Sequence, residues 1–112
     1  RRRSNNKFYN AVLHRQEVPV HEQSLIRNLV DKIHILASAE DGRLIAANLR
    51  LGALAHISAD HLREHFEQET SGTPLEGLRL HIDEQSDIHH AEAQEIILDS
   101  LEFEQRDEHG SV

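Results

Sequence analysis

The chain predicts an α+β fold, with two helices packed on one face of a small three-stranded mixed or antiparallel sheet in the order α-β-α-β-β. Three observations carry this. Apolar residues recur at spacings of three and four between Leu25 and Ala37. A second helical stripe joins Leu62 to Phe66 behind a serine that can cap it. Period-two alternation marks the segments around Leu49, Leu80 and Leu101. Helices bury one stripe and half-covered strands bury every second residue, so the two patterns fit one two-layer sandwich.

The first helix is expected from Glu22 to Ala39, with Leu25, Ile26, Leu29, Val30, Ile33, Leu36 and Ala37 on its buried side. His34 falls between buried positions and should face solvent. Asp41-Gly42 stops the helix, because glycine accepts the left-handed conformation that follows many helix ends. A strand is expected from Leu44 to Leu54: Ile45, Ala47, Leu49 and Leu51 alternate with Ala46, Asn48 and Arg50. Gly52 then allows a turn or bulge. The second helix begins at Ser58-Ala59-Asp60, where the serine hydroxyl can accept from a free backbone N–H and Asp60 opposes the helix dipole. Thr70-Ser71-Gly72-Thr73-Pro74 ends it.

Gly77 to Glu84 reads as the next strand, with Leu78, Leu80 and Ile82 inward and Arg79, His81 and Asp83 outward. A polar segment, Gln85 to Glu92, leads to a last strand from Glu95 to Glu104. There Leu101 and Phe103 alternate cleanly, but Ile96-Ile97-Leu98-Asp99 does not, so a bulge or change of register is expected. Asp99 on a covered face would need a cation or a backbone N–H. Residues 1–19 are expected to be a disordered basic arm or a mis-assigned start, 20–104 the folded domain, and 105–112 a polar tail.

Composition narrows the function. The 112 residues suffice for one modest core, built from aliphatic residues because aromatics are only 4% of the chain. There is no cysteine, hence no disulfide, thiolate metal site or cysteine nucleophile. The formal net charge is −8, although Arg1, Arg2, Arg3, Lys7 and Arg15 stand against Glu17 alone in the first nineteen residues. An acidic domain repels nucleic acid and anionic membranes, so neither is expected as a partner. No apolar run is long enough for a membrane span or a secretory segment, and polar Ser4-Asn5-Asn6-Lys7 follows the arginines where an export signal would be apolar. No phosphate-cradling glycine loop or nucleophile elbow is present, and an enzyme is not expected.

Metal chemistry remains. Val20-His21-Glu22 offers an imidazole, backbone nitrogens and a carboxylate beside a helix start, a donor set suited to Ni(II) or Cu(II). The alternative is a polar helix start in which Glu22 merely favours the dipole. His61-Leu62-Arg63-Glu64-His65 fits the H-x-x-E-H spacing of inverted zinc peptidases. A peptidase also needs a third protein ligand and a cleft, which so small a domain hardly supplies. His61 and His65 are therefore either part of a solvated helix face or an opportunistic metal-binding pair. His89-His90 is expected to face solvent, because adjacent side chains diverge.

Several stretches together resemble the HypA/HybF family of hydrogenase-maturation nickel metallochaperones. They are Val20-His21-Glu22-Gln23-Ser24-Leu25, Arg50-Leu51-Gly52-Ala53-Leu54 and His61-Leu62-Arg63-Glu64-His65-Phe66-Glu67, followed by Gly72-Thr73-Pro74-Leu75-Glu76-Gly77 and Leu98-Asp99-Ser100-Leu101-Glu102-Phe103-Glu104. The resemblance implies nickel binding by His21 and Glu22, with Val20 contributing a backbone or terminal nitrogen. It implies a cytoplasmic accessory protein that inserts nickel into nickel–iron hydrogenase. Its partners would be a nickel-handling GTPase and the hydrogenase large-subunit precursor, with urease assembly a secondary role and homodimerisation left open.

The sequence departs from the family in two ways. A zinc-binding insertion with two cysteine pairs would stand where Gln85 to Glu92 lies, so this chain resembles a short form for which no structural zinc is expected. Val20 occupies the position of the family's initiator methionine, which suggests that the physiological chain begins there with a free amine. A metal-free paralogue acting as an assembly scaffold is the alternative reading, and an unrelated α/β binding domain a third.

Overall fold

In the computed structural model the described residues are 2–14, 22–55 and 57–106, with side chains described at 5–13, 24–55 and 57–104. Among them, two helices and four strands follow one another as β1 (Arg2–His14), α1 (Glu22–Ser38), β2 (Arg43–Leu51), α2 (Ala59–Thr70), β3 (Arg79–Glu84) and β4 (Ile96–Arg106). The strands form one sheet in the order β1-β4-β2-β3. β2 pairs with β3 in parallel, while β4 runs antiparallel to both β1 and β2.

The expected three-stranded sheet is therefore corrected to four strands, in a fold that remains α+β. The additional strand lies within the residues expected to be a disordered arm. Its pairing begins at Arg2↔Arg106 and ends at His14↔Ile96. The physical reason is a short alternation: Tyr9, Ala11 and Leu13 turn toward the core, while Phe8, Asn10 and Val12 turn away. Lys7 reaches Glu40, just beyond the end of α1, at 3.6 Å. Asn10 takes a positive φ of 51°, a conformation asparagine tolerates, within the stretch where β1 carries one residue more than β4.

The helix-covered face holds the core. Ile26, Leu29 and Ile33 of α1 and Leu62 and Phe66 of α2 meet Ala47 and Leu49 of β2, Leu80 of β3, and Leu98, Leu101 and Phe103 of β4. Each fully buried Leu, Ile or Phe contributes about 1.5–3 kcal/mol. The apolar stripe expected of α1 is thus the buried one, and His34 is exposed as expected. A second cluster, Leu25, Leu51, Ala55, Ala59 and Ile96, brings the first turn of α1 to the first turn of α2, over the end of β2 and the beginning of β4.

The irregularity foreseen in the last strand is present. Between Asn48↔Ser100 and Leu49↔Leu98, β4 contains one residue more than β2, and that residue is Asp99. Asp99 is half-exposed rather than covered and lies 3.5 Å from the Arg50 guanidinium, so its partner is a cation.

Gly52 opens the expected turn, its carbonyl accepting from the Ala55 N–H at 3.1 Å, and serves a second purpose as well. The connection from β3 to β4 crosses the end of β2, with Gly52 N–H donating to the Glu95 carbonyl at 2.9 Å and Leu54 N–H to the Ala93 carbonyl at 2.7 Å. A Cβ at residue 52 would stand 2.6 Å from the Glu92 oxygen and overlap the Ala93 carbonyl. Only glycine admits so close a crossing.

Candidate functional site

The first turns of α1 and α2 pack together through Leu25, Ala55 and Ala59. Of the described metal-binding candidates, Glu22 starts α1, and His61 and His65 lie in the first two turns of α2. α2 starts sharply because Ser58, in extended conformation, accepts from the His61 N–H at 3.1 Å. Asp60 in the first turn adds the favourable dipole interaction expected of it. Leu62 and Phe66 are fully buried and fix the rotation of the helix. That rotation leaves His61 exposed and His65 half-buried.

The two imidazoles stack obliquely, with ring centres 5.6 Å apart and planes inclined by 57°. His65 also lines a recess with Gln68, Glu69 and Ile26, where α2 faces α1. Across this junction Arg27 reaches Glu69 at 3.8 Å.

Val20 and His21 lie outside the described residues. Glu22 is the first residue of α1. Among the described residues no group of three or more histidine, aspartate or glutamate side chains is arranged to hold a metal ion. His61 and His65 are brought together; His89 and His90 are not part of any such group. Both of the latter are exposed in the β3–β4 connection, as expected. There His89 N–H donates to Asp87 Oδ1 at 2.9 Å, and Glu92 N–H donates to His90 Nδ1 at 3.0 Å.

The face of the sheet opposite the helices carries a polar network that the sequence pattern leaves unseen. Arg50 donates to Glu92 at 3.0 Å and to the Asn10 side chain, and it stands beside Asp99. One guanidinium thus ties β1, β2, β4 and the β3–β4 connection together, using the forked donors that suit arginine to several acceptors. Asn48 adds bonds to Ser100 at 2.9 Å and Glu102 at 3.2 Å. The outward alternation of Asn48 and Arg50 was the available signal, but nothing in it names partners 40 to 54 residues away.

On the helix side, the Tyr9 hydroxyl is buried with no hydrogen-bond partner among the described residues. Burial first, and the nearby Glu40 carboxylate second, hold its pKa above the usual 10.0. No helix among the described residues is long and apolar enough to cross a membrane.

No family model matches the chain. Curated relatives do. The chain is 46% identical over 67 residues to "Hydrogenase maturation factor HypA" of Chloroflexus aurantiacus, 58% of this chain and 58% of that protein. It is 43% identical over 67 residues to the protein of the same name from Chloroflexus aggregans, again 58% of each chain. The factor from Roseiflexus sp. is 40% identical over 67 residues, 58% of this chain and 54% of the relative. The matched region thus spans a little over half the length of these relatives. The resemblance read from the residues is borne out over that stretch, which is similar to hydrogenase maturation factors named HypA.

Proposed function

We propose that this chain is a nickel-binding accessory protein, not an enzyme, that acts in the maturation of nickel–iron hydrogenase. The observation that carries the reading is the 46% identity over 67 residues to a hydrogenase maturation factor. The donor chemistry of Val20-His21-Glu22 supports it. An imidazole beside backbone nitrogens and a carboxylate suits a borderline divalent ion that prefers nitrogen ligands. With few protein ligands the ion exchanges readily, as delivery to another protein requires.

The nickel site is assigned to His21 and Glu22, with a nitrogen from Val20. The partners implied are a nickel-handling GTPase and the hydrogenase large-subunit precursor, in the cytoplasm. Titration of the full chain with Ni(II), beside His21→Ala, tests the assignment. Loss of at least tenfold in affinity for the variant is the expected result, and equal affinities would remove nickel from the account.

A scaffold role is the second reading. It is favoured by the Arg50 network, which fastens the β3–β4 connection where the resemblance would place a cysteine-bound zinc insertion. Complementation of a maturation-deficient strain separates the two. Rescue by His21→Ala supports the scaffold, and rescue that requires the histidine supports nickel delivery.

A further inference from the structure

We propose that His61 and His65 form a two-imidazole clip for a divalent transition ion along α2, made of residues other than those assigned to nickel, His21 and Glu22. The sequence alone left this pair open between a solvated face and a metal site; the geometry favours the latter. Residues four apart on a helix lie one above the other, and two histidines so placed can share one ion.

Metal–imidazole nitrogen distances of about 2.0–2.1 Å put the centres of two rings on one tetrahedral ion about 5 Å apart. The observed separation is 5.6 Å. The two rings thus already stand near the separation that a shared ion requires.

The backbone beneath it is fixed. Ser58 caps the helix one turn before the clip, and Leu62 and Phe66, both fully buried, anchor the adjoining face. A chelate whose two donors are held at the correct spacing before the ion arrives loses little conformational entropy on binding. Two protein ligands leave the remaining coordination positions to water, so the ion stays exchangeable. Imidazole pairs favour Cu(II), Ni(II) and Zn(II) over Mg(II), with Cu(II) bound most tightly.

The test uses the full chain titrated with Cu(II), Ni(II) and Zn(II), with Mg(II) as control, and reads stoichiometry by calorimetry and nitrogen coordination by Cu(II) paramagnetic resonance. The His61→Gln and His65→Gln variants keep polarity on the helix surface, and circular dichroism checks that α2 persists. Each single variant is expected to weaken one equivalent of Cu(II) at least tenfold, and the double variant to lose it together with the two-nitrogen signature. His21→Ala should leave this equivalent intact, so the clip and the nickel site fail or stand separately. Unchanged stoichiometry and affinity in the double variant would overturn the proposal, as would single variants that bind like the parent chain.

Discussion

The two faces of the sheet are held by different physics. The face under the helices is closed by aliphatic side chains and Phe66 and Phe103, nearly all without exposed surface. The other face is closed by polar side chains reaching one another across strands, with Arg50 and Asn48 at their centre. Burial on the first face is non-directional and scales with area, whereas bonds on the second depend on geometry and partly on solvent-screened charge. The comparison teaches which parts of the fold supply stability and which supply register.

Substitution sharpens the contrast. Leu98→Ala removes a fully buried side chain from the covered face and leaves a cavity, with an expected loss of about 3 kcal/mol. Urea unfolding measures it; a loss under about 1 kcal/mol would mean that this face is less tightly packed than it looks. Arg50→Ala on the open face should cost only about 1 kcal/mol, since the side chain is half-buried and its partners keep access to water. Its larger effect should be on amide exchange, with faster exchange at Leu54, whose N–H is held by the Ala93 carbonyl in the crossing that Arg50 fastens. Equal protection in the two proteins would show that Gly52 and the backbone bonds suffice.

Tyr9→Phe tests the one buried side-chain polar atom that lacks a partner among the described residues. Removing a buried hydroxyl that lacks a partner should be neutral or stabilising, by no more than about 1 kcal/mol. Its pH dependence has a definite sign. The folded phenol's pKa is raised, so its contribution is fully present below the unfolded value of 10.0 and is lost as pH rises through the folded one. Unfolding measured between pH 9 and 11 should show a steeper alkaline decline for the parent chain than for Tyr9→Phe. Parallel curves would place the hydroxyl in contact with water.

The same contrast explains what could be read from the sequence. Stripes on α1 and α2, the Ser58 cap, the alternation of β3 and the Asp99 irregularity all follow from local spacing, and they were legible. β1 was not, because Arg2, Arg3, Lys7 and three asparagines conceal an alternation only three residues deep, Tyr9-x-Ala11-x-Leu13. What makes it a strand is the matching face of β4, nearly the whole chain away. The partners of Arg50 were hidden for the same reason, since Asn10 and Glu92 are 40 and 42 residues distant.

At the candidate site, spacing alone placed His61 and His65 on one side of a helix. Their close approach and fixed anchoring needed the packing of Leu62 and Phe66. Gly52 was legible as a turn residue, and it does open a turn, but its second role as the place where one segment crosses another was not.

Nickel handling by His21 is the central claim, and equilibrium titration of the full chain with Ni(II) beside its His21→Ala variant tests it most directly. The account predicts that the variant binds nickel at least tenfold more weakly while its fold and the α2 clip are unchanged. Identical nickel affinity in the two proteins would contradict it.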